Sequence, residues 1–110
     1  MTTPIEITPA ELQTLIKKGQ PFCLIDCRED EEYAIAKIDG AVLVPLSRWE
    51  EAFGRIQLDA SQPVVVHCHH GMRSLRATHW LRRNGYPDAQ SLAGGIDAWS
   101  LEIDPSVPRY

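Results

Sequence analysis

Short, continuously apolar segments alternate with helix-like segments along this chain, and the alternation constrains the fold more than any other feature. A short apolar run bounded by turn residues is typical of a strand that is buried on both faces. Such runs occur at residues 22–26, 41–45, 64–67 and 89–92. Helix-start signals or helical spacing occur between and around them, at residues 8–19, 30–37, 47–55, 74–84 and 96–101. Strands that alternate with helices in this way predict an α/β domain with a mostly parallel sheet.

Two of these helices have a side chain that is suited to cap the first turn. Thr8 is expected to cap the first helix, and Glu11, three residues later, completes a capping box with it. Ser47 is expected to cap the helix over residues 47–55.

Length and composition restrict the class of protein. A chain of 110 residues has room for one domain, so residues 1–110 are predicted to form a single domain. The net charge of -4 argues against a general nucleic-acid binder, which is normally basic. No apolar stretch approaches the ~20 residues that span a bilayer, so no membrane interaction is expected. The amino end lacks a secretory signal, and three cysteines show no disulfide-rich pattern, which together predict a cytoplasmic, reducing location.

A candidate reactive thiol follows the third apolar run. The loop Cys68-His69-His70-Gly71-Met72-Arg73 comes directly after that run and leads into a predicted helix at Ser74. Backbone N–H groups at a helix N-terminus stabilise negative charge, which lowers the pKa of a thiol. The thiolate, which is the nucleophilic form, is then favoured. Cys68 is therefore predicted to be reactive. Arg73 is expected to serve an anionic group, either a sulfur oxyanion or a carboxylate, through its two parallel donors.

Other polar residues are predicted to lie near Cys68, because the carboxyl ends of parallel strands meet at one edge of a sheet. Asp26 and Arg28, at the end of the first run, are expected to brace the loop by hydrogen bonds. Cys27, between them, is interpreted first as a packed thiol and second as a thiol that could resolve a persulfide on Cys68. Trp49, Trp80 and Trp99 are expected first to pack in the core or at its rim. Trp99, which closely follows a pair of glycines, is the one of the three that could instead line the pocket.

The histidines around Cys68 do not predict a metal site. His67, His69 and His70 are nearly consecutive, so their ring nitrogens cannot easily converge on one ion, and no second ligand pair has metal-site spacing. No cofactor is predicted. His69 or His70 could act as a general base, but a loop that stabilises a thiolate needs none, so the alternative is that they tune substrate choice and local charge.

Several motifs occur together in the order of a known family. They are Leu24-Ile25-Asp26-Cys27-Arg28, Ile38-Asp39-Gly40-Ala41, Cys68-x-x-Gly71-x-Arg73-Ser74 and Gly94-Gly95-Ile96-x-x-Trp99. With these motifs the chain resembles the rhodanese-like sulfurtransferases along nearly its whole length. Its last residues, 99–110, look most like the rhodanese domain at the carboxyl end of sulfur-carrier adenylating enzymes.

The resemblance implies a five-stranded, mostly parallel sheet flanked by helices on both faces. It implies that Cys68 takes sulfane sulfur as a persulfide, from thiosulfate or a protein persulfide, and passes it to a thiophilic acceptor such as a sulfur-carrier protein. The backbone from His69 to Arg73 would then hold the sulfur, with support from Asp26 and Arg28. Two residues depart from the family pattern, since many relatives have histidine in place of Lys37 and an apolar residue in place of Cys27.

Three other classes of protein share some of these features. Cysteine phosphatases and arsenate reductases of related fold place arginine six positions after the cysteine, whereas Arg73 is five positions after Cys68 and Ser74 is the sixth. A docking or regulatory domain often lacks the cysteine, which is present here. A thiol redox sensor would use a reversible disulfide between Cys27 and Cys68.

Overall fold

The computed structural model describes residues 3–110, and five strands form one sheet in that range. The strands are β1 (Glu6–Ile7), β2 (Cys23–Asp26), β3 (Val42–Leu43), β4 (Val64–His67) and β5 (Gln90–Leu92). They lie side by side in the order β1-β5-β4-β2-β3. Every adjacent pair is parallel. The predicted five-stranded parallel α/β architecture is therefore confirmed.

Helices connect the strands, as parallel pairing requires. They are α1 (Pro9–Lys17), α2 (Asp30–Ile35), α3 (Trp49–Phe53), α4 (Met72–Arg83) and α5 (Gly95–Glu102), with a short 3-10 turn at Leu46–Arg48 before α3.

The core has two parts, one on each face of the sheet. On one face, Leu12 of α1 and Ile96 of α5 pack with Val65 of the central strand β4. On the other face, Trp49 of α3 and Leu81 of α4 pack in a cluster that includes other residues of β4. Alternate residues of a strand point to opposite faces, so β4 supplies apolar side chains to both parts and is buried throughout.

The predicted capping box of α1 is confirmed. The amide of Glu11 donates to the Thr8 hydroxyl at 3.1 Å, and the Thr8 amide donates to the Glu11 carboxylate at 2.9 Å. The predicted cap at Ser47 is wrong, because α3 begins two residues later and the Ser47 hydroxyl instead donates to Glu29. A glutamate within reach in another segment competes with the helix start for a short polar side chain.

The structure also contains a strand that the sequence did not predict, and one of its helices begins earlier than expected. β1 was not among the apolar runs, since it has only two residues, one of which is exposed. α4 begins at Met72, two residues before the predicted start at Ser74. Gly71 caps it with a φ of 106°, a turn that lets the helix begin at the next residue.

Within residues 3–110, no helix combines the length and apolar character needed to cross a bilayer. The cytoplasmic location remains a prediction.

Candidate active site

Cys68 lies at the carboxyl edge of the sheet, directly after β4. Its neighbours there are the end of β2, which carries Asp26 and Arg28, and the start of α5, at Gly95. The structure thus brings together segments that are far apart in the sequence, as the strand-end rule predicted. Cys68 is buried, with 1% of its surface exposed.

The start of α4 surrounds the Cys68 sulfur with donors. The amide of Gly71 donates to Sγ at 3.1 Å and the amide of Ser74 at 3.3 Å. The Ser74 hydroxyl lies 3.4 Å from Sγ. The Ser74 hydroxyl also lies 3.2 Å from the Gly71 carbonyl, to which it can donate, and 2.7 Å from the Ser91 hydroxyl, which can donate to it. Of the predicted backbone stretch from His69 to Arg73, Gly71 is the residue whose amide donates to Sγ.

These donors hold the Cys68 thiol in its charged form. The hydrogen bond from the Cys27 thiol lowers the pKa of Cys68 most, and the Ser74 hydroxyl and the two amides add to it. Together they outweigh burial and lower the pKa to about 4. The same hydrogen bond, together with burial, raises the pKa of Cys27 far above its ordinary range. At neutral pH Cys68 is therefore a thiolate beside a protonated Cys27.

The loop carbonyls are bound by the start of α5. The amide of Ile96 donates to the Cys68 carbonyl at 2.8 Å, and the amide of Asp97 donates to the His69 carbonyl at 3.1 Å. Gly95 allows this close approach, because its φ of +62° and its missing side chain bring the backbone of α5 against these carbonyls. The Cys68 and His69 carbonyls are therefore bound to α5, while amides at the start of α4 point toward the Cys68 sulfur.

Asp26 and Arg28 form a fully buried ion pair at the end of β2. The Arg28 Nη2 donates to Asp26 Oδ2 at 2.7 Å, and the Arg28 Nε donates to Asp26 Oδ1 at 2.9 Å. The Arg28 guanidinium also donates to the Tyr110 hydroxyl and to the backbone carbonyls of Glu32 and Ala36, which belong to α2 and its end. This corrects the expectation of direct bracing, since among the described residues neither member of the pair bonds to the loop 68–73. They fix α2 instead.

Arg73 has an anionic partner in α2. Its Nη1 and Nη2 donate to the two carboxylate oxygens of Glu32 at 2.6 and 2.8 Å. The Arg73 guanidinium lowers the pKa of Glu32 to about 2, and Glu32 in turn raises the pKa of Arg73. Of the two predicted anions, the structure supplies the carboxylate. The support that Asp26 and Arg28 give to α2 reaches the loop through this pair.

Tyr110 and the two loop histidines form a stack over the same region. The Tyr110 ring lies 4.0 Å from the His69 ring, nearly parallel to it, and His70 stacks on His69 at 3.9 Å. The Tyr110 hydroxyl accepts from Arg28 at 2.8 Å and donates to Glu32 at 2.8 Å. Burial is the main reason why the pKa of Tyr110 is raised to about 12.

Sequence reasoning missed three contributors to the site. Ser74 stood in the motif after Arg73 but was read only as the helix start, and Glu32 stood in an acidic run. Tyr110 gave no local signal, because 82 positions separate it from Arg28 in the chain.

Two further expectations concern His67 and Trp99. His67 is buried, and burial lowers its pKa, so the ring is neutral beneath the loop. Trp99 does not line the Cys68 site; it borders a separate cavity with Tyr33 and Val107, because its place on α5 faces the other part of the core. Among residues 3–110, no three His, Cys, Asp or Glu side chains converge on a point that could hold a metal.

A surface groove of about 990 Å³ begins beside the loop at Arg73. Trp49 and Trp80 belong to its apolar lining, and its charged lining combines arginines such as Arg76 of α4 with glutamates such as Glu50 and Glu51 of α3.

Comparison with known proteins gives a consistent result. A model of the rhodanese-like domain family matches residues 8–102. The chain is 36% identical over 104 residues to the probable adenylyltransferase/sulfurtransferase MoeZ of Mycobacterium tuberculosis, covering 94% of this chain and 26% of that protein. It is 33% identical over 109 residues to the adenylyltransferase and sulfurtransferase MOCS3-2 of Zea mays, covering 94% of this chain and 23% of that protein. The chain thus spans about a quarter of the length of these relatives.

Two solved structures each match over 90% or more of both chains. A rhodanese-like domain protein from Staphylococcus aureus superposes with a TM-score of 0.79 and 27% identity, covering 100% of this chain and 99% of that one. The human single-domain sulfurtransferase TSTD1 superposes with a TM-score of 0.78 and 26% identity, covering 90% of this chain and 97% of that one.

Proposed function

The chain belongs to the rhodanese-like domain family, and from that premise we propose that it is a sulfurtransferase that carries sulfane sulfur on Cys68. The observation that carries the proposal is the set of donors around the Cys68 sulfur. A thiolate with a pKa of about 4 is a ready nucleophile at neutral pH. Donors that are fixed in place before the reaction stabilise charge without reorganising.

In the first step, the Cys68 thiolate attacks the outer sulfur of a donor such as thiosulfate or a persulfide. The new bond joins Cys68 Sγ to that sulfur, the sulfur–sulfur bond of the donor breaks, and sulfite or a thiolate leaves. The negative charge then lies on the outer sulfur of Cys68–S–S⁻. Helix geometry leaves the first-turn amides of α4 without acceptors inside the helix, so they are available to this charge.

In the second step, a nucleophilic acceptor attacks the outer sulfur and restores the Cys68 thiolate. We propose that the acceptor is a thiol or a sulfur-carrier protein. The names of MoeZ and MOCS3-2 support this choice, since each couples sulfurtransferase with adenylyltransferase. The groove that begins at Arg73 would give a carrier protein a binding surface beside the loop.

We also propose that residues 1–110 act as one domain. Ile7 of β1 and Val107 near the other end of the chain are buried in the same part of the core as Leu12 of α1. Both ends of the described range therefore contribute to one core.

Intact mass measurement tests the sulfur transfer directly. The wild type is incubated with thiosulfate, desalted and measured without reductant, and it should gain one sulfur atom per chain. Cys68→Ser should gain none. Cys23→Ala serves as the matched control, because Cys23 lies at the opposite end of β2, and it should load like the wild type. Addition of cyanide should then remove the sulfur. No gain on the wild type, or an equal gain on Cys68→Ser, would contradict the proposal.

A further inference from the structure

Cys27 and Cys68 lie opposite each other across two neighbouring strands. The register of β2 and β4 pairs Asp26 with His67, so the next residue of each strand is a cysteine. The Cys27 amide donates to the His67 carbonyl at 3.0 Å and continues the ladder to this point. Neighbouring strands are about 4.8 Å apart, which is also the spacing expected for this pair.

The two cysteine side chains also point to the same face of the sheet. Cys27 and Cys68 both belong to the part of the core that contains Ile25 of β2 and Val66 of β4. Disulfides join residues whose Cα atoms are about 4.4–6.8 Å apart. The strand spacing falls inside this range, so the two sulfurs can be joined with the backbone in place. Both are free thiols in the structure.

Burial limits what Cys27 can react with. Its side chain is fully buried and, unlike that of Cys68, its pKa is raised far above the ordinary range, so it does not react with an external disulfide or persulfide as a thiolate. The group next to it that changes during sulfur transfer is the Cys68 sulfur. A buried cysteine that faces a persulfide-forming cysteine therefore has one reaction partner.

We propose that Cys27 is a resolving cysteine, which converts an unclaimed Cys68 persulfide into an internal Cys27–Cys68 disulfide and releases hydrosulfide. This inference rests on the proposed sulfurtransferase function and adds a second outcome to it. The chain then delivers sulfur to an acceptor when one is bound, and discharges it as sulfide when none arrives.

The chemistry balances without an external oxidant. The Cys27 sulfur attacks Cys68 Sγ, a new sulfur–sulfur bond forms, and the bond from Sγ to the outer sulfur breaks. The outer sulfur leaves with the electron pair and takes the Cys27 proton, so it departs as HS⁻. Cys27 is oxidised from thiol to disulfide while the sulfane sulfur is reduced to hydrosulfide. A small-molecule thiol reductant returns the two cysteines to the starting state by exchange.

The charge distribution makes this a slow reaction that follows loading. While Cys68 is a thiolate, it accepts a hydrogen bond from the Cys27 thiol, which keeps Cys27 protonated. Loading moves the negative charge to the outer sulfur, which is a single bond further from Cys27. The persulfide can then persist long enough for an acceptor to bind before Cys27 attacks.

The test follows the loaded protein over time in the absence of any acceptor. Wild type, Cys27→Ala, Cys27→Val and Cys23→Ala are loaded with thiosulfate and desalted, and released sulfide is quantified beside non-reducing intact masses. Wild type and Cys23→Ala should lose the added sulfur, lose two hydrogens and release one equivalent of hydrosulfide. Both Cys27 variants should keep the persulfide for about tenfold longer, since the internal thiol attack has been removed. Valine preserves the packing volume if alanine destabilises the fold.

The readouts separate the two hypotheses. If wild type takes up no sulfur, the proposed function fails at the loading step. The resolving pair is then tested by diamide oxidation, in which wild type should form a Cys27–Cys68 disulfide that peptide mapping identifies and neither Cys27 variant should do so. Absence of that disulfide in wild type overturns the inference. Equal persulfide lifetimes in wild type and in both Cys27 variants also overturn it.

Discussion

Three kinds of donor act on the Cys68 sulfur, namely a thiol, a hydroxyl and two backbone amides. The Cys27 thiol reaches it across the sheet, the Ser74 hydroxyl comes from the same helix start, and the amides of Gly71 and Ser74 come from the backbone. A buried thiol in apolar surroundings would have a raised pKa. The low pKa of Cys68 therefore depends on these donors, and removing any of them should raise it.

Alkylation by iodoacetamide reads this pKa. The rate of Cys68 modification should be nearly constant from neutral pH downward and fall only as pH approaches about 4, because the thiolate is the reacting form. Cys27→Ala should move the inflection to higher pH more than Ser74→Ala does, since the Cys27 thiol is the strongest contributor. Cys68→Ser corrects for modification of other cysteines. An inflection near the ordinary value for a thiol, about 8.5, would contradict this account.

At the scale of single residues, the sequence was sufficient to predict the features of the site that depend on local spacing. The position of Cys68 before a glycine and a helix start was enough to predict a thiolate with backbone donors. The partner of Arg73 could be predicted only as an anion, because Glu32 lies 41 positions away and its proximity follows from the fold. Tyr110 could not be predicted at all, since nothing local distinguishes its ring from any exposed tyrosine.

At the scale of elements, the loop depends on the start of α5. The amides of Ile96 and Asp97 hold the carbonyls of Cys68 and His69, and Gly95 makes the approach possible. A Cβ at Gly95 would overlap both carbonyls, and its φ of +62° disfavours any side chain. The geometry of the loop therefore depends on the start of α5 as well as on the loop itself, and the two are in contact at Gly95.

Gly95→Ala should disturb both the stability and the reactivity of the protein. We expect a loss of at least about 2 kcal/mol in the free energy of unfolding, from backbone strain and from separation of α5 from the loop. Sulfur loading should fall as well, because the loop carbonyls lose their donors. Denaturant unfolding and the thiosulfate loading assay measure the two effects.

Gly85→Ala is the matched control for that prediction. Gly85 also has a positive φ, of +100°, but a Cβ there meets no atom within 4 Å. It should cost about 1 kcal/mol from strain alone and leave sulfur loading unchanged. If both variants lose stability equally and neither affects loading, close approach at Gly95 is not important for the loop.

Element boundaries were predicted where side chains act on their own helix and missed where they act across the fold. Thr8 and Glu11 satisfy each other within one turn, so the start of α1 could be predicted. Ser47 bonds to Glu29, 18 positions earlier, which the sequence does not reveal. β1 exists because β5 offers an edge for two residues to pair with, so its signal lies in the partner strand.

At the scale of the whole molecule, one polar network connects distant parts of the chain around the site. Arg28 at the end of β2 bonds to Tyr110, Tyr110 bonds to Glu32 of α2, and Glu32 bonds to Arg73 of α4. Because Glu32 is a carboxylate that accepts from two groups, its ionisation affects the stability of the complete fold.

Stability should therefore depend on the protonation of Glu32 in acid. Its pKa is lowered from 4.5 to about 2 in the folded state, chiefly by Arg73. The unfolded chain binds this proton at higher pH, so the stabilisation is fully present above pH 4.5 and is lost as pH falls toward 2. Glu32→Gln should be less stable than wild type at neutral pH, and the difference should shrink across this range.

Urea unfolding at a series of pH values from neutral to acid measures that difference. Glu31→Gln is the matched control, because Glu31 is exposed on the same helix. It should stay parallel to wild type across the acid range. A constant difference between Glu32→Gln and wild type at all pH values would show that the Glu32 charge does not contribute.

The alternation of apolar and helical segments was enough to predict a parallel α/β architecture, because parallel strands need a connection that crosses the sheet. The number of strands came from the family resemblance, since β1 has no run of its own. The order of the strands could not be predicted in this way. It depends on which strand edges are still unpaired when each further strand is added to the sheet.

The division of labour between backbone and side chains in the loop has a practical consequence. Amides of Gly71 and Ser74 supply the backbone donors to the sulfur, and α5 fixes the carbonyls, so neither depends on the side chains at positions 70 and 72. Those two side chains are exposed, with Met72 at 79%. A library randomised at these two positions should therefore retain the reactive thiolate in most members. On the proposed function, directed evolution at these positions should change which sulfur compounds the protein accepts while the Cys68 thiolate is retained.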